Sequence, residues 1–176
     1  MAIRLPVTPI SGHVSRAISF SELPNMYLGL GKTSAFLGED DPNFVCPPPS
    51  VEAKTLEELI GLKRIEVVSL VHPDPDGTLI YKDRSWKKVS VEDAIRLGSR
   101  WVYLEVTVNY EELPAVGYRQ IGIFSRVQAN PEVGDSKSVL LPDEILSTGL
   151  LEIFEQRKVV HRSADSKDTF SMIVEF

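Results

Sequence analysis

Val102-Tyr103-Leu104-Glu105-Val106-Thr107-Val108-Asn109-Tyr110 sets the fold class. Val102, Leu104, Val106, Val108 and Tyr110 alternate with Tyr103, Glu105, Thr107 and Asn109, a period of two that turns one face of a strand inward. Immediately upstream, Ser90 and Asp93 have capping-box spacing, and Gly98 closes a short predicted helix over Val91 to Leu97. Downstream, Tyr118 to Val127 reads as a second strand, with Gly122 marking a close backbone approach. Residues 129–138 read as a polar loop, and Pro142 to Leu146 as one helical turn. Leu151 to Arg162 and Thr169 to Phe176 are predicted to form a closing hairpin, with Phe170, Met172, Val174 and Phe176 on one face.

Toward the N-terminus, residues 62–71 are rich in β-branched side chains and predict one strand. It ends at His72-Pro73-Asp74-Pro75-Asp76-Gly77, whose Asp-Gly step predicts a tight turn into a returning strand, Thr78 to Tyr81. Ser50 is a fitting N-cap for a helix over 51–60, with Val51, Leu56, Leu59 and Ile60 on one side and Gly61 as its stop. Residues 37–50, Leu-Gly-Glu-Asp-Asp-Pro-Asn-Phe-Val-Cys-Pro-Pro-Pro-Ser, combine turn formers with a polyproline run and predict a long extended loop. Pro6, Pro9 and Pro24 punctuate the start of the chain, and residues 1–18 are expected to form an extended N-terminal arm. These elements describe a single α+β domain over 1–176, mainly antiparallel β-sheet and sandwich-like, with two or three short helices and long Pro-rich loops.

Composition narrows the function. The chain has 176 residues, with 19 Lys and Arg against 25 Asp and Glu, a net charge of −6. An acidic balance opposes general nucleic-acid binding, which needs concentrated cations. Cys46 is the only cysteine, so no intrachain disulfide forms, as expected of a chain that folds in a reducing compartment. The first residues lack an apolar signal core, and no run approaches the roughly eighteen apolar residues of a membrane span, so no membrane partner is expected.

Motifs that could carry chemistry are incomplete. Gly29-Leu30-Gly31-Lys32-Thr33 ends like a phosphate-binding loop, but Met26 stands where such a loop needs its first glycine, and no long helix is expected after Thr33. A nucleotide- or ligand-binding enzyme built on the Gly31-Lys32-Thr33 turn is therefore the minor reading. His72 to Asp83 partly imitates a calcium loop, with Asp74, Asp76, Gly77 and Asp83 in place, yet His72 occupies the first ligand position; an exposed acidic turn is the simpler account. His13, His72 and His161 show no zinc spacing, and Cys46 between Val45 and Pro47 reads as a loop-packing residue. Glu39-Asp40-Asp41 and Glu111-Glu112 read as solvated carboxylates, and Trp86 beside Lys87 and Lys88 as an edge-strand aromatic. No catalytic residue, cofactor site or metal site is expected.

The order of segments says more. Tyr27 to Thr33, followed by the acidic Asp-Pro loop ending at Pro47-Pro48-Pro49, resembles a segment of contractile-phage baseplate wedge proteins of the T4 gene 8 type. Leu56-Glu57-Glu58-Leu59-Ile60 and Lys63 to Val68 follow in that family's order, Tyr118-Arg119-Gln120-Ile121-Gly122 is similar to its Phe-Arg-Gln-Ile-Gly strand, and Phe154 to Arg162 with Thr169 to Phe176 resembles its closing segment. The chain is shorter than the long members and has no tryptophan in the loop.

The resemblance implies a structural subunit, not an enzyme, made and assembled in the host cytoplasm and located in the virion's tail baseplate. There it would link hub and sheath to the outer baseplate, pairing with other wedge proteins and with a second copy of itself. A tail-fibre adaptor or neck protein is the alternative within the virion. Long Pro-rich loops suit ordering by neighbours, so Phe36, Phe44, Val45, Pro47, Pro48 and Pro49 are the expected protein-interaction residues.

Overall fold

The decisive strand forms as expected. In the computed structural model, which describes residues 6–134 and 136–176, β6 runs Trp101–Val108 and buries Val102, Leu104, Val106 and Val108; Tyr103, read on the outer face, is buried too, and Tyr110, read on the inner face, lies beyond the strand and is 51% exposed. The other elements, in order, are α1 (Ile10–Ser21), β1 (Tyr27–Gly31), β2 (Gly61–Arg64), β3 (Val67–Pro73), β4 (Leu79–Tyr81), β5 (Arg84–Lys88), α2 (Val91–Leu97), β7 (Gly117–Ser125), β8 (Gln128–Ala129), β9 (Val139–Leu140), β10 (Ile145–Ser147), β11 (Leu150–His161) and β12 (Asp168–Glu175), with a 3-10 turn at Pro142–Glu144. This is the mainly antiparallel α+β architecture the sequence implies. Among the described residues no helix is long and apolar enough to cross a membrane.

The chain builds two compact units, each from separate stretches. The first draws on residues up to Leu23, on Glu66–Glu105 and on Phe170–Phe176; the second on Pro24–Ile65 and Val106–Thr169. The first unit's sheet has the order β12-β6-β3-β5-β4. Val71, Trp86 and Tyr103 form its buried aromatic cluster, flanked by Leu79, Tyr81, Trp101 and Ile173. Helix α1 buries Val14, Ala17 and Phe20, and the Phe20 ring lies 4.9 Å from that of Phe176. Helix α2 is capped as its sequence says: the Ser90 hydroxyl accepts from the Asp93 amide, and Gly98 adopts the left-handed conformation at φ 67°.

The second unit's sheet has the order β11-β7-β1-β2-β9, beside a small β10–β8 pair. Gly29 on β1 and Gly122 on β7 are directly opposite, which confirms the close approach read at Gly122. A Cβ on Gly29 would lie 2.7 Å from Phe124, and one on Gly122 would lie 2.7 Å from Leu151. The space that these glycines leave admits Leu56, which is 4% exposed and packs with Tyr27, Leu62, Phe124, Val127 and Leu140.

Several local expectations are corrected. The N-terminal segment is not an extended arm: residues 1–5 lie outside the described residues, and Ile10–Ser21 is helical because Val14, Ala17 and Phe20 share one buried stripe after a proline start at Pro9. Residues 51–60 form no helix. The Ile60 amide bonds the Leu30 carbonyl and the Lys32 amide bonds the Glu57 carbonyl, so this segment lies against the end of β1 with Leu56 as its anchor. The single strand over 62–71 is two, broken where the Ile65 amide bonds Met26 and the next amide, of Glu66, bonds Glu105. β5, not residues 78–81, returns along β3; β4 pairs with β5 through a turn at Lys82-Asp83, both at positive φ. The closing hairpin also fails, since β11 pairs with β7 and β12 neighbours β6 in the other sheet.

Candidate functional site: the proline loop and its anchorage

Residues 32–60 leave β1 and reach β2 with no helix or strand between them. Several anchors hold this long connection. Arg119 on β7 sends Nε to both Glu39 carboxylate oxygens, at 2.7 and 2.9 Å, and Nη1 to the Thr33 carbonyl at 2.5 Å. The two side chains are 10% and 11% exposed. Burial pushes the Glu39 carboxyl up, but the Arg119 hydrogen bonds and charge, with the Phe36 amide, outweigh it and hold the group below its ordinary value. Glu39 is therefore not the solvated carboxylate its sequence suggests, and neither is Glu112, which receives Lys63 at 2.7 Å.

A second set of bonds runs through glutamines. Buried Gln120 accepts from the Glu57 amide at 2.8 Å and donates to Gln156 at 3.0 Å. Gln156 in turn donates to the carbonyls of Pro47 and Pro48, at 3.2 and 3.0 Å. Proline lacks an N–H but keeps a strong acceptor, so a polyproline run is fastened through its carbonyls. Arg119, Gln120 and Gly122 thus all serve the loop: one pairs Glu39, one ties Glu57 to Pro47 and Pro48 through Gln156, and one leaves room for Leu56.

The Gly31-Lys32-Thr33 turn also has an internal occupant. Lys32 reaches Glu57 at 2.7 Å, and the Thr33 and Ser34 amides converge on Glu58 at 2.9 and 2.8 Å. The Ser34 hydroxyl adds a bond of 2.5 Å and the Thr33 hydroxyl another. These bonds, led by Ser34 and Thr33, draw the Glu58 carboxyl down to about 2. The donors that a phosphate would need are satisfied by carboxylates of the same chain. Cys46 is half-buried; burial, then the Glu39 charge, raises its thiol, which disfavours a nucleophilic thiolate.

The expected interaction residues divide. Phe36 and Phe44 are half-buried and stack on each other at 6.0 Å, with Lys32 over the Phe36 ring at 5.1 Å. Val45 is 83% exposed, and Pro47, Pro48 and Pro49 are exposed. Two positions outside that set are more open still: Leu37 at 102%, and Val51, read as part of a helix's apolar side, at 96%. Leu37 follows Phe36, the ring that the loop folds inward, and the turn glycine Gly38 at φ 77° comes next. Trp86 is also relocated; it lies on the inner strand β5 and is 6% exposed. Among the described residues no group of three or more His, Cys, Asp or Glu side chains is placed to hold a metal ion.

A family described as baseplate wedge 3 tail fiber network component matches residues 5–176. Virion protein 3 of Enterococcus phage phiEF24C is 31% identical over 166 residues, which cover 89% of this chain and 88% of that protein. The baseplate wedge resemblance read from the sequence agrees with both. Because the match runs through both units and the whole proline loop, the chain belongs to the baseplate wedge 3 tail fibre network component family, structural proteins of the phage virion.

Proposed function

We propose that this chain is a structural subunit of a contractile-tail baseplate wedge that links hub and sheath to the outer baseplate through protein contacts, with the loop over residues 36–50 as an assembly contact. Other wedge proteins and a second copy of the chain are its partners, and assembly takes place in the host cytoplasm. The observation that carries the reading is a loop fixed at its base and apolar at its crown. Glu39, Pro47 and Pro48 are tied down, while Leu37 and Val45 project into solvent. A fastened loop loses little ordering entropy on docking, and exposed aliphatic side chains gain from burial. The family's description joins the wedge to the tail fibre network, which supports a fibre-side neighbour as the second reading. The Gly31-Lys32-Thr33 turn gives a nucleotide enzyme no support, since Glu57 and Glu58 already use its donors.

Replacing Leu37 and Val45 with Asp tests the proposal. Both are exposed, so stability should change by less than about 0.5 kcal/mol per site in denaturant titration. Baseplates assembled with the double variant should lack it. Normal incorporation of a correctly folded variant would overturn the reading.

A further inference from the structure

In the first unit, Tyr81, Trp86 and Trp101 line an open cleft of about 410 Å³ with Lys82 and Arg84 among its lining residues. The two indole rings lie 5.9 Å apart, edge to face. The one carboxylate in the lining, Glu175, is taken by Arg100 at 2.6 Å, and Arg100 also covers the Trp101 ring at 5.0 Å. Among the described residues Lys82 and Arg84 enter no ion pair; Lys82 lies only over the Tyr81 ring at 5.4 Å. Around it, residues 79–88, Leu-Ile-Tyr-Lys-Asp-Arg-Ser-Trp-Lys-Lys, carry four cations against one carboxylate, in a chain of net charge −6. An aromatic floor with unpaired cations beside it suits an acidic segment bearing an apolar side chain.

The same chain displays such a segment. Leu37-Gly38-Glu39-Asp40-Asp41 presents a fully exposed leucine, and Asp40 and Asp41 are exposed without an ion pair among the described residues. Glu39 and Arg119 hold its base in place before any partner arrives. We infer that the cleft of Tyr81, Trp86, Trp101, Lys82 and Arg84 receives the Leu37–Asp41 turn of a second copy, with Leu37 on the aromatic floor and Asp40 and Asp41 facing Lys82 and Arg84. The inference rests on the reading of the loop as an assembly contact and names its partner. A single nucleic-acid strand would also meet cations and aromatic rings here, but the acidic chain as a whole repels a long polyanion, whereas a short acidic turn carries two charges.

Sedimentation velocity of the full chain over a concentration series at low salt tests this, with tryptophan emission confirming that each variant is folded. Wild-type protein should self-associate. Lys82→Glu with Arg84→Glu should weaken association by about tenfold or more, as should Asp40→Lys with Asp41→Lys. Mixing the two double variants should restore association, because the reversed turn then meets the reversed cleft. A monomeric wild type, two variants that fail to complement, or binding of a short oligothymidylate lost on reversing Lys82 and Arg84 would each overturn the inference. If these results fail while the Leu37 and Val45 double variant is still excluded from baseplates, the loop remains an assembly contact and only the self-docking falls.

Discussion

The two five-stranded sheets reach burial by opposite means. In the first unit the side chains do the filling: Trp86, Tyr103 and Val71 cluster around one another, and α1 adds Phe20 against Phe176. In the second, backbone comes first: Gly29 faces Gly122, and the gap is filled by Leu56 from the long connection. The difference teaches that the proline loop is part of the second unit's core, not an appendage to it. Its descending arm supplies a core residue, and that is why a connection with no helix or strand can stay ordered.

The contrast is broken most directly by putting a side chain on the glycine platform. Gly122→Val should destabilise the second unit by about 3 kcal/mol, because the new carbons must displace Leu151, Phe124 and Leu56 in a closely packed layer. Urea unfolding followed by exchange of β1 and β7 amides would measure it. A loss within about 0.5 kcal/mol would mean that the platform is looser than its distances say.

Acid sharpens the comparison, since the depressed carboxylates that fasten the loop belong to the second unit. Glu39, Glu57 and Glu58 all lie below the ordinary glutamate value, Glu57 mainly through Lys32 and Glu58, at about 2, through Ser34 and Thr33. A group depressed on folding contributes fully above its unfolded value, about 4.3, and that contribution disappears as pH falls through the folded value. Lowering the pH from about 4.5 to 2 should therefore release residues 33–58. Pepsin cleavage near Phe36 and Phe44 reads the release, while Trp86 and Trp101, both in the first unit, report whether that sheet persists. Cleavage that begins only when tryptophan emission shifts would show that the loop and the aromatic sheet fail together.

The smallest effect concerns the first unit alone. Lys82 and Asp83 turn the β4–β5 hairpin at φ 47° and 60°, a geometry that glycine adopts without steric cost. Asp83→Gly should raise stability by about 0.5 to 1 kcal/mol in the same titrations, with no change in acid release of the loop.

What could be read from the sequence was whatever is written locally. Period two gave β6, the Ser90 and Gly98 caps gave α2, and an isolated glycine gave the approach at Gly122, each a signal carried by a few neighbouring residues. The divide between β2 and β3 was hidden because Ile65 and Glu66 sit inside one β-branched run, and only distant strands decide which sheet each amide joins. Residues 51–60 misled for a related reason: Leu56 and Ile60 are apolar because they dock onto β1, and their spacing imitates a helix face. At the candidate site, the loop and its prolines were legible from composition. Which of its apolar residues face outward was not, since Phe36 and Phe44 pair with each other and leave the crown to Leu37 and Val45. The resemblance at Tyr118 to Gly122 drew attention to the right strand, but the partners of Arg119 and Gln120 lie 80 and 63 positions away in Glu39 and Glu57.

The interleaving of the two units bears on how the protein is made. The chain changes unit at Leu23, at Ile65, at Glu105 and again at Thr169, so neither sheet belongs to a continuous fragment. The first sheet waits for β12, the last of its five strands to be synthesised. The aromatic sheet can therefore close only once β12 has been made, and until then Val71, Trp86 and Tyr103 lack their final strand. Chains at that stage expose the apolar faces that β12 will cover, and are prone to aggregate until the sheet closes.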